Sequence, residues 1–319
     1  MVSPGDAFAD VPFRFKVVNA LPAAFLACLV SALALAGAPV RAPDADKLVE
    51  QAGRFGWWGA AAAAVVIAVA ALLLEPLELA SVRILEGYWP DLGPFRRLAE
   101  AGRAVQRRRK EKAQFLQQTA GVRGVPAGSF VRAVRRYPDG EDLLPTTLGN
   151  RLRAFESSAG KPYGIDAIEL WPRLYFVLPD SALSYINRSR TQLDTACRLC
   201  LTFGVSALIS AGLLFAYPLW WLLPGALVLA AVIAYQAALA AAENYGITVT
   251  AAVDVYRVRL LQEMRLDMPI DTEGERAVNR ELGNLWGGSQ TANVPYARAD
   301  SDMAILLQDL RRRRPRRRL

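Results

Sequence analysis

The longest apolar stretch of the chain runs from residue 199 to residue 242 and contains no Asp, Glu, Lys or Arg. Because one helical crossing of a bilayer takes about 20 apolar residues, this length suits two crossings joined by a break at Tyr217-Pro218. Trp220 and Trp221 follow the break. Tryptophan concentrates at the membrane–water interface, so both are candidate interfacial anchors. The pattern predicts a transmembrane hairpin over residues 197–242.

A second pair of apolar runs lies near the N-terminus. The first covers residues 17–40 and the second covers 57–74, with a short polar link between them. A cleaved signal peptide is the alternative explanation of the first run. Its flank is only weakly basic and another apolar run follows, which favours an uncleaved crossing. Trp57 and Trp58 open the second run as further candidate anchors. We therefore predict a first transmembrane hairpin over residues 17–80.

Two acidic residues, Glu75 and Glu78, close the second crossing and lie one helical turn apart. Acidic side chains in this position can form a charged ring at the mouth of a pore when several copies assemble. A helix end among hydrated headgroups also tolerates acidic residues, so the pair is open to both explanations.

The charged residues are distributed unevenly along the 319 residues, which include 38 Lys and Arg, 30 Asp and Glu and have a formal net charge of +8. The segment 83–194 holds nineteen basic and twelve acidic residues, and the chain ends in RRRRPRRRL. Lys and Arg accumulate on the cytoplasmic side of membrane proteins. The distribution therefore places both termini and the middle segment in the cytoplasm.

The predicted fold class is all-α integral membrane, with two transmembrane helical hairpins (four crossings) and a helical cytoplasmic domain inserted between them. Apolar positions at helical spacing on both sides of the second hairpin predict helices that continue out of the bilayer. The predicted organisation is a cytoplasmic N-terminus (1–16), hairpin 1 (17–80), a cytoplasmic helical domain (81–196), hairpin 2 (197–242), a juxtamembrane amphipathic helix (243–268) and a polar, largely disordered basic tail (269–319) with a short helix at 303–310.

A very basic helical stretch covers residues 95–118 of the middle domain. Its apolar positions are too sparse for a buried helix, so its charges face water, anionic phospholipid headgroups or nucleic acid. Because the domain is tethered to the membrane, contact with the lipid bilayer is favoured and nucleic acid is disfavoured. The candidate headgroup-binding residues are Arg107, Arg108, Arg109 and Lys110, together with Arg311, Arg312, Arg313 and Arg314 of the tail.

The composition argues against catalysis. The chain has no histidine, which excludes Ser-His-Asp and Cys-His catalysis, His-containing zinc sites and imidazole relays. Cys197 and Cys200 form a lone Cys-x-x-Cys pair, which packing explains better than metal binding or redox chemistry. The Gly-rich segment 121–128 lacks the Lys-Ser/Thr ending of a phosphate-binding loop. We predict a protein that is not an enzyme and has no cofactor or metal site.

The middle domain contains the most distinctive sequence. LLPTTLGN at 143–150 is followed by YGIDAIELWPRL at 163–174, between the two apolar hairpins. In these segments the chain resembles uncharacterised multi-pass membrane proteins of actinobacteria. The resemblance implies a multi-pass protein of the bacterial plasma membrane, and it implies no activity and no catalytic residue. Pro172 and Pro179 are expected to interrupt the helices of this region.

Small residues in the apolar runs favour an assembly. Residues 60–64 are all alanine, and the third crossing contains the small residues Gly204, Ser206, Ser210 and Gly212. Such residues let helices pack closely in a membrane. Our first hypothesis is a non-enzymatic homo-oligomer that serves as a scaffold or forms a pore lined by these small and hydroxyl residues. The alternative is a membrane anchor that recruits a soluble cytoplasmic partner through residues 95–180.

Overall fold

Helices dominate the computed structural model, which describes residues 13–54, 77–120, 128–140 and 142–297, with the single residues 56, 59, 61 and 65. Within these residues there is no strand, only an isolated bridge between Leu266 and Tyr296. The predicted all-α class is confirmed. The helices are α1 (Phe13–Leu35), α2 (Ala45–Arg54), α3 (Leu77–Glu86), α4 (Gly93–Ala120), α5 (Gly128–Val134), α6 (Thr147–Ser158), α7 (Ala167–Tyr175), α8 (Asp180–Leu213), α9 (Leu222–Glu263) and α10 (Thr272–Trp286), with short 3-10 turns at Lys161–Tyr163 and Pro218–Trp221.

Two of these helices, α8 and α9, are long and apolar enough to cross a membrane. α8 contains 34 residues and α9 contains 42, and the 3-10 turn at Pro218–Trp221 directly precedes α9. Pro218 begins this turn, a position where its missing N–H leaves no helical hydrogen bond unmade. Both helices continue beyond the apolar run, as the spacing of apolar residues predicts.

The N-terminal apolar runs are described only in part. α1 contains 23 residues and begins at Phe13, before the predicted start at residue 17. The predicted second crossing, 57–74, lies outside the described residues apart from three single positions.

The chain divides into two compact units. Unit 1 consists of Met1–Gln106, Leu144–Gly149 and Arg190–Ala242. Its apolar core includes Leu33 at the end of α1 and Leu214, just after α8, which is fully buried. The rings of Phe25 and Phe203 meet edge to face, with their centroids 5.5 Å apart. α1 therefore packs against α8 within this unit.

The loop before α6 packs against the end of α3 in unit 1. Oγ1 of Thr146 donates a hydrogen bond to the carbonyl oxygen of Glu86 at 2.8 Å. Gly149 approaches the same carbonyl group so closely that a β-carbon would overlap it. At Gly102 of α4, a β-carbon would lie 2.7 Å from the carbonyl oxygen of Pro145. Both positions need glycine because the backbones meet with no room for a methyl group.

Two hydrogen bonds hold the start of α6 in the same unit. Nε2 of Gln106 donates to Oγ1 of Thr147 at 3.1 Å. The backbone N–H of Leu148 donates to the hydroxyl of Tyr235 at 3.3 Å, and the Leu148 side chain is fully buried. The first N–H groups of a helix have no partner inside the helix, so the tyrosine supplies an acceptor that α6 lacks. Most of the distinctive 143–150 segment thus has a packing role.

Unit 2 consists of Arg107–Leu143, Asn150–Ser189 and Glu243–Leu319 and has an apolar core of its own. Leu174 of α7 and Val253 of α9 are fully buried, and Ile186 of α8 packs in the same cluster. Burying one such side chain stabilises a fold by about 1.5 to 3 kcal/mol. This core joins the α7, α8 and α9 residues that belong to the unit.

The structure differs from the predicted disorder directly after residue 268. α10 forms there, and Asp271 caps it by accepting a hydrogen bond from the backbone N–H of Gly274 at 2.8 Å. Leu282 of α10 is fully buried. The prediction of disorder from polar composition was wrong here, because α10 is amphipathic and buries only one face. The predicted helix at 303–310 lies outside the described residues.

Polar contacts hold α10 to the rest of unit 2. Nε of Arg257 lies 2.7 Å from Oε1 of Glu275, and both side chains are largely buried. The Arg257 guanidinium also lies 3.6 Å from the ring centroid of Tyr163. Nδ2 of Asn279 donates to the carbonyl oxygen of Tyr163 at 2.9 Å. These partners are distant in sequence, so no local pattern reveals them.

Pro172 does not interrupt a helix as expected. It lies inside α7. Its missing N–H removes the helical partner of the Ile168 carbonyl, but Ile168 is an exposed residue and water can serve that oxygen. Pro179 does stand at a boundary, immediately before α8.

Candidate membrane-facing surface and binding pockets

α8 and α9 expose a band of large apolar side chains in unit 1. Leu208, Phe215, Leu222 and Ile233 of this band are 75%, 77%, 80% and 61% exposed. Each such side chain loses about 1.5 to 3 kcal/mol when it faces water instead of an apolar medium. Soluble monomers rarely carry a large continuous surface of this kind. Lipid or an apolar partner is the environment that suits it.

A groove of about 530 Å³ lies between α8 and α9 in unit 1. Gly204, Ala207 and Ala211 line it from α8, and Gly225 lines it from α9. Apart from the backbone of their own helices, no described atom lies within 4 Å of the place where a β-carbon of Gly204 or Gly225 would stand. Small residues of this kind let another apolar chain approach the helix backbone closely.

The two candidate tryptophan anchors in the described region lie at the turn between α8 and α9. Trp220 packs against the cluster around Leu33, and Trp221 is 46% exposed with its ring 6.4 Å from that of Phe215. The Tyr217 hydroxyl donates to the carbonyl oxygen of Pro39 at 3.1 Å. The other two candidates, Trp57 and Trp58, lie outside the described residues.

The residues proposed for a pore are placed only in part. Glu75 lies outside the described residues, and Glu78 lies in α3 with its side chain not described. Ser206 and Ser210 are both fully buried within unit 1. The Ser210 hydroxyl donates to the carbonyl oxygen of Ala207 at 3.1 Å. The pore lined by these hydroxyl residues stays a prediction.

The four basic candidates on α4 differ in their surroundings. Arg107, Arg108 and Arg109 are exposed. Lys110 is partly buried, and its Nζ donates to the carbonyl oxygens of Pro138 at 2.8 Å and Gly140 at 2.7 Å. Lys110 therefore holds the loop after α5 rather than pointing freely outward. The four arginines proposed in the tail, 311–314, lie outside the described residues.

A cluster of charges in unit 2 surrounds Glu243, which directly follows the apolar run. Its Oε2 lies 3.3 Å from Nη1 of Arg151 and 3.5 Å from Nη2 of Arg136. Burial raises the pKa of the neighbouring Tyr137, while the charges of Arg109, Arg151 and Arg136 act in the opposite direction. Sequence reasoning missed this cluster because its members lie far apart in the sequence, on α6, on α9 and in the turn after α5.

A smaller cavity of about 250 Å³ lies in unit 2 between α6, α7 and α9. Its lining includes one carboxylate, that of Glu156. Burial beside apolar side chains raises the pKa of Glu156, the charge of Arg153 lowers it, and the negative charge of Asp166 raises it further. No sequence signal indicated this site, because the cavity exists only where the three helices meet.

The raised pKa predicts a pH-dependent effect of replacing Glu156 with glutamine. The folded state binds a proton more readily than the unfolded state, so the free energy of unfolding of the wild type falls as pH rises through the window above the ordinary carboxyl pKa. Glu156→Gln removes this fall in the free energy of unfolding, because glutamine has no carboxyl group to titrate. We expect the variant to be the more stable protein near pH 7 and to lose that advantage near pH 4. Urea denaturation across this range tests it, and a stability difference that does not change with pH would contradict it.

The thiols give no sign of chemistry. Cys197 is fully buried, and Cys200 lines the groove between α8 and α9. Among residues 13–54, 77–120, 128–140 and 142–297, no three acidic or cysteine side chains come close enough to hold a metal ion. The expectation of a non-enzyme without a cofactor stays a prediction.

No protein-family model, no curated protein and no solved structure matches this chain. The likeness to actinobacterial membrane proteins therefore stays a prediction.

Proposed function

We propose that the protein is an integral protein of the bacterial plasma membrane, with four crossings and both termini in the cytoplasm. The length and apolar character of α8 and α9 support the C-terminal pair of crossings. The apolar runs at 17–40 and 57–74 support the N-terminal pair. The excess of basic residues at 83–194 supports the orientation. The resemblance to uncharacterised multi-pass proteins of actinobacteria agrees with this topology.

Within the membrane we propose a non-enzymatic homo-oligomeric scaffold. The observation that carries this proposal is the groove between α8 and α9, whose small residues offer close backbone contact to an apolar helix of a second copy. Lipid tails are as apolar as leucine, so helices associate in a bilayer through shape rather than through release of water. A groove offers a complementary shape that a smooth helix face does not.

The mass of the protein in nanodiscs tests the scaffold. We expect the wild type to be a multimer, and we expect Ala211→Leu to shift the population towards monomer because leucine fills the groove. Gly212→Leu is the matched control, since Gly212 is adjacent in sequence, does not line the groove and has open space beside it within the described part of the chain. A wild type that is strictly monomeric in lipid would overturn the oligomer, and a chain soluble without detergent would overturn the membrane location.

A conducting pore is the alternative form of the same assembly. The burial of Ser206 and Ser210 inside one chain favours the scaffold over a pore lined by these hydroxyls. Planar-bilayer recordings should therefore be silent. Currents that change in Glu75→Gln would restore the pore hypothesis.

We also propose that the exposed arginines of α4 bind anionic phospholipid headgroups. Arg107, Arg108 and Arg109 are exposed in succession, and each basic side chain near an anionic surface contributes about 1 kcal/mol of attraction. The tail arginines 311–314 would add to this attraction on the same side. Nucleic acid is a less suitable partner for a chain held at the membrane.

A membrane anchor that recruits a soluble partner through residues 95–180 is the second candidate function. It is favoured by Phe176, which follows α7 and is 89% exposed. A photo-cross-linker at position 176 of the membrane-bound full chain distinguishes the two functions. The anchor forms adducts with a soluble protein, whereas the scaffold forms them only with lipid or with another copy.

A further inference from the structure

The cavity of about 250 Å³ in unit 2 has walls suited to a small aromatic or alkyl group. Phe155 of α6, Trp171 of α7 and Tyr245 of α9 each contribute a ring to its lining. Sites for drug-sized ligands have volumes of about 300 to 1,000 Å³. This cavity therefore suits a smaller molecule, with a single ring or a short alkyl chain.

Small residues shape the cavity. Gly246 of α9 makes room for the ring of Phe155, because a β-carbon there would collide with it. Ala159 and Ala167 are buried and complete the lining where α6 and α7 approach. Larger side chains at the alanine positions would fill the cavity.

The cavity also has an acidic end. The Glu156 carboxylate belongs to its lining and makes no hydrogen bond or ion pair within the described part of the chain. The basic neighbour Arg153 lies 3.8 Å from the carboxylate of Asp142. Asp166 adds negative charge near Glu156, and its own carboxylate accepts a hydrogen bond from the N–H of Ile168 at 2.8 Å. A ligand would therefore meet the Glu156 carboxylate and aromatic residues in the lining, with the negative charge of Asp166 nearby.

We infer that this cavity binds a small hydrophobic cation, namely a protonated amine attached to one aromatic ring or to a short alkyl chain. The apolar part of the ligand lies between Phe155 and Trp171, and its ammonium group pairs with Glu156. Aromatic faces attract cations, which adds to the attraction of the carboxylate. An anionic ligand of the same shape is repelled by Glu156 and Asp166. A neutral ligand gains no ionic attraction from Glu156, which is an exposed residue.

This inference does not depend on the oligomeric scaffold, because every lining residue belongs to unit 2 of one chain. A monomeric protein would keep the site, and a failure to bind amines would leave the scaffold untouched. The two proposals therefore fail separately.

Three probes of nearly equal shape test the inference by charge alone. They are 2-phenylethylammonium, 2-phenylethanol and phenylacetate, titrated calorimetrically against the full chain in nanodiscs of zwitterionic lipid, with empty nanodiscs subtracted. We expect the ammonium probe to bind with a dissociation constant on the order of 0.1 to 1 mM, as suits so small a ligand. It should bind about tenfold more tightly than the alcohol, and phenylacetate should not bind.

Glu156→Gln should remove the preference for the ammonium probe and leave the affinity for the alcohol unchanged. Glu111→Gln removes an exposed carboxylate that does not line the cavity and is the matched control, with wild-type binding expected. Ala159→Leu should abolish binding of both probes by filling the cavity. Equal affinity for the ammonium and carboxylate probes, no binding above that of empty nanodiscs, or an unchanged preference in Glu156→Gln would each overturn the inference.

Discussion

Replacing Glu275 with alanine is expected to detach α10 from unit 2. The substitution leaves the guanidinium of Arg257, whose side chain is only 17% exposed, without the carboxylate 2.7 Å away. Removing one partner of a largely buried ion pair destabilises by about 3 kcal/mol, because the remaining charge stays partly out of water. α10 is the last described helix, so the effect should appear as local opening. Hydrogen exchange over residues 272–286 should become about a hundredfold faster.

Two variants separate the ion pair from other effects on α10. Glu273→Ala removes an exposed carboxylate from the first turn of the same helix and should change exchange by less than about fivefold. The double variant Arg257→Met with Glu275→Leu should recover most of the protection, since it leaves no unpaired charge. Unchanged exchange in Glu275→Ala would show that α10 is held by its apolar face alone.

Gly149→Ala is expected to destabilise unit 1 through a backbone collision. The added methyl group would overlap the carbonyl group of Glu86, which also accepts the hydrogen bond of Thr146. A backbone carbonyl at the end of α3 cannot move aside as a flexible side chain can. Overpacking of this kind costs about 2 to 3 kcal/mol, which corresponds to a fall in melting temperature of roughly 5 to 10 °C.

Gly212→Ala is the matched control for this prediction. Gly212 also lies in a helix, but among the described residues no atom outside the backbone of α8 stands within 4 Å of its β-carbon position. Alanine there should stabilise α8 by up to about 1 kcal/mol, because it favours the helix more than glycine does. If both variants melt at the wild-type temperature, the close approach of α3 and α6 is not what holds this part of unit 1.

The apolar runs made α8 and α9 predictable because the length and composition of a segment are local properties. The uninterrupted run at 199–242 needed no knowledge of its neighbours. The basic helix predicted at 95–118 was also a local property, and it lies within α4. Its sparse apolar positions predicted that it would not be buried, and Leu98 and Phe115 are exposed in the structure. The N-terminal crossings stay predictions.

α10 could not be anticipated from composition because its contacts are not local. Asn279 bonds to a carbonyl oxygen of Tyr163, and Glu275 pairs with a residue of a different helix. A polar segment with these partners has the same average composition as one without them. The cavity beside Glu156 was hidden for a related reason, since it forms where α6, α7 and α9 meet around the small residues Ala159 and Ala167.

The charged cluster around Glu243 affects how deeply this end of α9 would lie in a bilayer. Glu243 is the first ionisable residue after the apolar part of α9, and Arg136 and Arg151 both lie against it. In the proposed membrane location, sliding the chain towards the lipid would strip hydration from three ions at once, so the depth of this end in the bilayer would resist change. Hydrophobic mismatch with a thicker or thinner membrane would then be met by tilting or by lipid deformation.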